Sequence, residues 1–282
     1  MVFDPRDLET AACPLCNSRD RKATSAGRDG LGVVRCRSCG LLFLSPRLRE
    51  DRMMAHYRDP SYFEGNECGY SSYAGQERSL RLTFRHLLGS LDRRGLTGGT
   101  LLEVGCGHGY FLDEARSYAE RRVGTDLSEV AATVARGFAD EVWCGGLEAV
   151  PAGERFDLVV ALQVIEHVYD PRAFVGQLVA RVKPRGHLLL ATPDAGSIWY
   201  HALGSRWPSY KFPEHVAFYD RRTLTRLLTG AGLQGIQKVP HPHAFPVSEI
   251  LGKMGIPAGE AFGRRIAWIP GTVLALAGQT GG

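Results

Sequence analysis

The chain has 282 residues, 44% apolar and 23% charged, which is long enough for one α/β domain of ordinary size plus a small appendage and too apolar for a disordered chain. Its net charge of +4 lies wholly in residues 1–99, which hold 16 Lys and Arg against 12 Asp and Glu. With 29 Arg and only 5 Lys in the chain, that excess reads as an arginine-rich composition before it reads as a nucleic-acid footprint. No apolar run reaches membrane-spanning length, since 266–278 is interrupted by Pro270 and Gly271, and the opening MVFDPRDLET lacks the basic and apolar regions of a secretory signal, so a cytoplasmic chain is expected.

Seven cysteines are an odd number, and four of them form two pairs, Cys13/Cys16 and Cys36/Cys39, in the spacing C-x2-C-x19-C-x2-C. Paired knuckles of this kind present four thiolates to one tetrahedral ion and leave no open coordination position, so a structural Zn²⁺ is expected. About forty residues bury too little apolar surface to fold without such a staple. LGVVRC and LLFLSP read as two short strands flanking the second knuckle. Residues 1–50 are therefore expected to form a zinc-ribbon-like unit. Residues 51–75 follow as an aromatic linker, with Tyr57, Tyr62, Phe63, Tyr70 and Tyr73, able to act as a lid or to pack ribbon onto core.

The remainder, 76–282, opens with the helical pattern QERSLRLTFRHLLGSL and then TLLEV, Gly105-Cys106-Gly107-His108-Gly109 and YFLDEARSYA. Strand, glycine-rich turn and helix form an α/β nucleotide cradle. Tyr110 stands where a dinucleotide fingerprint needs glycine, and Glu103 at the strand end would repel a pyrophosphate but attract a sulfonium ligand carrying an ammonium group. Gly105 and Gly107 let backbone N–H groups approach the ligand, and the helix N-terminus favours its carboxylate. RRVGTDLS is a second strand ending in Asp126, placed to accept from both ribose hydroxyls, and Ser128 caps the next helix. Leu147 and Glu148 are placed to flank an adenine ring. FDLVVALQVIEHV and HLLLATP complete a strand–helix alternation that implies a parallel sheet covered on both faces.

LLEVGCGHG, VGTDLS, FDLVVALQVIEHVYDP, VKPRGHLLLATP and HVAFYDRRTLTRLLTGAGL, in that order and spacing, resemble a class I S-adenosylmethionine-dependent methyltransferase over about residues 75–240. The resemblance implies a Rossmann-like seven-stranded sheet, or a six-stranded one if TVLALAG near the end does not close it. It implies S-adenosylmethionine held by Tyr73, Glu103, Gly105, Gly107, Asp126, Leu127, Leu147, Glu148 and Gln163. With CPLC…RCRSCGLLFLSPR ahead of the core, the chain is similar to zinc-ribbon-bearing methyltransferases of bacterial sugar and secondary-metabolite pathways, though the sugar C-methyltransferases of that group are longer and carry a third domain.

Methyl transfer by inline displacement asks the protein to align two groups and remove a proton. His215, in FPEHVAFYD after the fifth strand, is the expected base, with Glu214 beside it to hold or activate the imidazole; Lys211 stands where the resemblance implies a tyrosine. His167 in VIEHV is the second candidate, and in quinone-type O-methyltransferases Glu166 and His167 would hold a metal instead. His241 and His243 read as loop residues. The aromatic stretch 194–212 could wall an acceptor pocket. A small-molecule acceptor is expected and nucleic acid is not. The alternative is an rRNA or tRNA base methyltransferase that binds RNA through its ribbon, kept open by 8 Lys and Arg against 2 Asp and Glu in residues 13–49. A docking ribbon on a degenerate core is opposed by the intact Glu103, Gly105, Gly107 and Asp126.

Overall fold

The computed structural model describes residues 3–58, 76–247 and 265–281. Tyr62, Phe63, Cys68, Tyr70 and Tyr73 of the linker lie outside them, as does the chain between 248 and 264.

The N-terminal part is a small antiparallel unit. β1 (Leu8–Glu9) is followed by β2 (Arg21–Arg28) and β3 (Leu31–Cys36), a hairpin turning at Asp29-Gly30, both with positive φ as such tight turns require. β4 (Leu42–Leu44) pairs with β3 across the second knuckle, β5 (Arg47–Leu48) returns to pair with β1, and α1 (Glu50–Arg58) leads away.

The larger part starts with α2 (Glu77–Asp92) and alternates thereafter: β6 (Thr100–Val104), α3 (Tyr110–Glu114), β7 (Arg121–Asp126), α4 (Glu129–Ala135), β8 (Glu141–Cys144), β9 (Phe156–Leu162), α5 (Pro171–Ala180), β10 (Val182–Pro193). Then come α6 (Ile198–Leu203), β11 (Ala217–Phe218), α7 (Arg221–Gly230), β12 (Gln234–Val239), the hairpin β13 (His243–Pro246) with β14 (Ile266–Ile269), and β15 (Val273–Gln279). Side-chain oxygens of Ser128, Asp170 and Asp220 cap α4, α5 and α7 by accepting from N–H groups of the first turn, and Thr223 completes a capping box. The helix expected over YFLDEARSYA is shorter, closing as a 3-10 turn over Ala115–Ser117 where the chain bends toward β7.

Seven strands form one sheet in the order β12-β15-β10-β9-β6-β7-β8. The closing strand exists: β15 runs antiparallel between β10 and β12, with Leu190 opposite Leu276 and Val239 opposite Ala275. β9 is buried almost throughout, as a strand covered on both faces must be. One face is covered by α2, α3 and α4 through Phe84, Leu88, Phe111 and Ala132, the other by α5 and α7 through Val175, Leu178, Leu224 and Leu228. No helix among the described residues is long and apolar enough to cross a membrane.

Ribbon and core are joined by a strand pair that spans the chain. β11 adds to the ribbon sheet, giving β11-β4-β3-β2, with Ala217 opposite Phe43 and Phe218 opposite Leu42. Leu41 and Phe43 share one apolar cluster with Tyr219, Leu224 and Ile165. Three aromatics of the 194–212 stretch turn inward: Tyr200, Trp207 and Tyr210 pack with Phe218 against Val33, Leu42 and Leu44 and fill the ribbon–core junction, while Trp199 stays exposed with its indole N–H donating to the Pro270 carbonyl.

Because Phe43 has no exposed surface and packs with core residues, Phe43→Ala is expected to lower stability by about 3–5 kcal/mol, the usual loss for a buried aromatic. Unfolding followed by tryptophan fluorescence and by circular dichroism should then give one coincident transition at a lower midpoint. A separate early transition confined to the ribbon would mean that the two parts fold independently.

Candidate active site and cysteine cluster

Parallel strands β6, β7 and β9 deliver their carboxyl ends to one edge of the sheet, where open α/β sheets bind ligands. Glu103, on β6, is 3% exposed, and its Oε2 is buried without a hydrogen-bond partner. Burial, reinforced by the charge of Asp126, holds its carboxyl well above the usual carboxylate range. Asp126 ends β7; its Oδ2 accepts from the Gly107 N–H at 2.8 Å and its Oδ1 from the Ser128 N–H at 2.9 Å. Burial raises its carboxyl and those two N–H groups pull it back. The half-buried Asp126 thus disfavours charge on the buried Glu103, and a cation beside them would relieve it.

The turn between β6 and α3 needs its glycines. Gly105 has φ +74° and a Cβ there would meet Val164 Cγ2 at 2.7 Å. Gly107 has φ +52° while offering its N–H to Asp126. Gly105 and Cys106 both donate to the Thr125 carbonyl, at 2.8 and 2.9 Å, which locks the turn onto β7. Gln163 follows β9 in a left-handed conformation, φ +57°, with its Nε2 buried and unpartnered; such strain in a non-glycine residue gathers at functional edges. Leu127 is 60% exposed, Leu147 is buried, and the exposed Glu148 accepts from the Gly146 N–H at 2.8 Å. Tyr73 is outside the described residues.

On the acceptor side, Glu166, His167 and His215 converge, with one donor atom from each lying within 4.8 Å of the others. Glu166 and His167 sit in a 3-10 turn after β9, and His215 immediately precedes Val216, whose N–H donates to the Glu166 carbonyl at 2.8 Å. Glu166 Oε2 accepts from Thr192 Oγ1 at 2.9 Å while Oε1 is buried and unpartnered, and burial pushes the carboxyl up to about 7. The His167 and His215 rings meet edge to face at 4.7 Å. His215 Nδ1 lies 2.9 Å from the Ser209 carbonyl, which can only accept, so Nδ1 carries the proton and Nε2 the lone pair. The holder of the ring is thus Ser209, a residue the sequence did not single out. Glu214 is buried next to it, and its backbone is hydrogen-bonded to His167. Nor is His215 made more basic: burial, then His167 and Lys211, hold it well below its ordinary value, and burial takes His167 down to about 4. Lys211, noted only as a departure, places a positive charge near this cluster that disfavours protonation of both histidines. His241 is buried in a loop, while His243 begins β13 against α2.

The four knuckle cysteines form a second cluster. Cys13 and Cys39 sulfurs are 3.4 Å apart and those of Cys16 and Cys36 are 3.5 Å apart. That is far beyond a disulfide, at about 2.05 Å, and near the roughly 3.8 Å edge of a tetrahedron with metal–sulfur bonds of about 2.3 Å. Burial pushes Cys39 up to about 11 and Cys13 higher still, while Cys36, against its burial, is brought down to about 7 by hydrogen bonds from backbone N–H groups and Cys16.

The sequence matches the family described as "Methyltransferase domain" over residues 74–238, more than half of the chain, and the chain belongs to that family. It is 33% identical over 137 residues to a ubiquinone biosynthesis O-methyltransferase of Rhodopseudomonas palustris, a match covering 46% of this chain and 50% of that protein. It is 34% identical over 140 residues to a probable S-adenosylmethionine-dependent methyltransferase of Mycolicibacterium smegmatis, covering 49% and 52%. The chain thus spans about half the length of the curated relatives it matches. In fold it resembles magnesium protoporphyrin IX methyltransferase from Synechocystis PCC 6803 with bound S-adenosylhomocysteine, at TM-score 0.54 and 16% identity over 82% of this chain and all of that one. A possible histamine N-methyltransferase from Thermotoga maritima aligns at TM-score 0.50 and 21% identity, over 73% and 98%.

Glu166 is a raised acid, so its neutral form is favoured by folding: its stabilisation is complete below the ordinary 4.5 and is lost as pH rises through about 7. Glu166→Gln removes that term. Its stability relative to the native protein should therefore increase with pH between about 4.5 and about 7, by on the order of 1 kcal/mol per unit at most. Urea unfolding at a series of pH values measures it, and a difference that is flat across the window would place the raised acid elsewhere.

Proposed function

We propose that the chain transfers a methyl group from S-adenosylmethionine to a small-molecule acceptor: a natural product, a sugar or a cell-surface glycan precursor. The observation that carries this reading is the buried, unpartnered Glu103 oxygen beside Asp126, an acidic cradle suited to a ligand that is cationic at sulfur and nitrogen. When bound, the cofactor supplies an electrophilic methyl group. Glu103, Gly105, Gly107, Asp126, Leu127, Leu147, Glu148 and Gln163 would hold it, with Tyr73 added from the linker. Asp126 retains lone pairs for ribose hydroxyls after accepting two N–H groups.

His215 is the base. Its depressed basicity keeps the ring neutral at physiological pH, its Nδ1 proton is fixed on the Ser209 carbonyl, and Nε2 is left to take a proton from the acceptor. His167 packs against it and orients it, and Glu214 supports the pair through its backbone. The names of the relatives, ubiquinone biosynthesis and protoporphyrin methyltransferases, support a small acceptor. The same Glu166, His167 and His215 donors suit a divalent transition-metal ion, and a strict requirement for such an ion with cofactor affinity unchanged would favour a metal-assisted O-transfer over His215 as base. The arginine-rich ribbon keeps RNA as the second reading of the acceptor.

We propose further that Cys13, Cys16, Cys36 and Cys39 hold one structural zinc. Its role extends past the ribbon because β4, which follows Cys39, is the strand on which β11 and hence the His215 segment rest.

Calorimetry should show binding of S-adenosylmethionine and S-adenosylhomocysteine but not NAD, and Asp126→Ala should weaken it by about 1–3 kcal/mol. His215→Gln should leave that affinity within about twofold while turnover falls by on the order of 10² or more. If turnover survives and falls with His167→Gln, the base is on the β9 loop.

Elemental analysis should give about one Zn per chain. Cys39→Ser should lose it and shift the His215 ring resonances in NMR spectra while S-adenosylhomocysteine still binds. Unmoved His215 resonances in the metal-free variant would disconnect ribbon from site.

A further inference from the structure

A groove of about 980 Å³ lies between the first knuckle, Cys13 included, and helices α5 and α7, and none of Glu166, His167 and His215 lines it. Its floor is small, with Ala173 and Gly176 from α5 and Gly230 from α7, and its charged lining is Arg47, Arg172, Arg226 and Asp170. We propose that this groove binds the phosphoryl group of a small ligand, a phosphate monoester or diphosphate. The proposal stands on the groove alone and does not depend on the methyl-transfer reading.

Arg47 is built for such a contact. Its guanidinium lies 4.2 Å above the Tyr169 ring, its Nε donates to Glu9 at 2.8 Å, and Tyr169 is itself tied by its hydroxyl to the Leu48 carbonyl at 2.7 Å. The side chain is only 12% exposed, and Nη1 is buried without a partner. A guanidinium held by the Tyr169 ring and by Glu9 is fixed in orientation, and so fixed it offers a planar fork suited to an anion. Arg172 and Arg226 are exposed and carry no ion pair among the described residues. The carboxylates present are already engaged: Glu9 with Arg47, and Asp170 with the Ala173 N–H at 3.0 Å as the cap of α5. Three guanidinium groups therefore line the groove, and its one lining carboxylate, Asp170, is committed to the cap of α5.

Arg47 lines the groove together with Tyr169 and is the least exposed of its three arginines. A planar fork also prefers the spread oxygens of a phosphoryl group to a single-point anion such as chloride.

The test is calorimetric titration of the full chain, as purified with its metal, with inorganic phosphate and with pyrophosphate at physiological ionic strength. Saturable binding is expected, tighter for pyrophosphate. Arg172→Gln with Arg226→Gln, both at the surface and harmless to folding, should weaken it by about tenfold or more, while affinity for S-adenosylhomocysteine stays unchanged. Arg47→Lys keeps the charge but removes the fork and should weaken it as well; if that variant fails to fold, the surface pair decides. No saturable binding overturns the proposal, as does binding that ignores all three substitutions. Binding of structured RNA with a steep salt dependence, lost in the same variants while pyrophosphate does not bind, overturns it too and assigns the groove to a nucleic-acid backbone.

Discussion

The five residues Leu42–Leu44 and Ala217–Phe218 carry the architecture. Their antiparallel pairing is short, yet it is extended at both ends: the Leu44 N–H donates to the Val216 carbonyl at 2.9 Å, and Arg222 reaches the Cys39 carbonyl at 3.1 Å. Between those two anchors lies the whole 216–222 segment. His215 is adjacent to the first anchor, and Val216 also holds the Glu166 carbonyl through its N–H. A backbone so doubly fixed leaves the His215 imidazole little freedom. The ribbon is therefore part of the wall of the candidate site and not an appendage hung beside it, and a metal among its cysteines would stiffen that wall from behind.

The charge layout divides the sheet edge in two. On the β6–β7 side, Glu103 is a buried acid beside the partly buried Asp126, and their repulsion invites a cation. On the β9–β10 side, burial disfavours charge on Glu166, His167 and His215 alike, with the positive Lys211 nearby. The two histidines resist protonation, because each would have to charge without solvent.

Much of this was legible in the sequence where the signal is local. The strand–glycine–helix order fixed Glu103, Gly105 and Gly107 at a turn, because positive φ and close approach leave few residues possible, and the Ser128 cap is realised with the Ala131 N–H at 3.3 Å. The cysteine spacing likewise brought four sulfurs together. What could not be read was non-local. A two-residue strand has no periodicity, so the pairing of β11 with β4 across some 175 positions of chain left no trace in either segment. The same holds for Ser209, a carbonyl with no side-chain signature, and for Thr192, which meets Glu166 only because β10 lies beside β9. The closing strand was ambiguous because its seven residues are nearly all buried, a pattern that a short buried helix segment shares.

The placement of β15 explains why the ribbon could be recruited at the opposite face without disturbing the cofactor edge. β15 inserts between β10 and β12 and seals that flank of the sheet, while β8 ends the other. The face bearing α5 and α7 is left to accept the ribbon through Leu41 and Phe43, next to the same two helices that bound the arginine groove. Ribbon, α5 and α7 thus meet along one seam whose inner side supports Glu166 and His215 and whose outer side is basic. The elements that line the groove are therefore the same ones that pack behind the Glu166 and His215 segment, so a change of packing on one side of the seam is felt on the other.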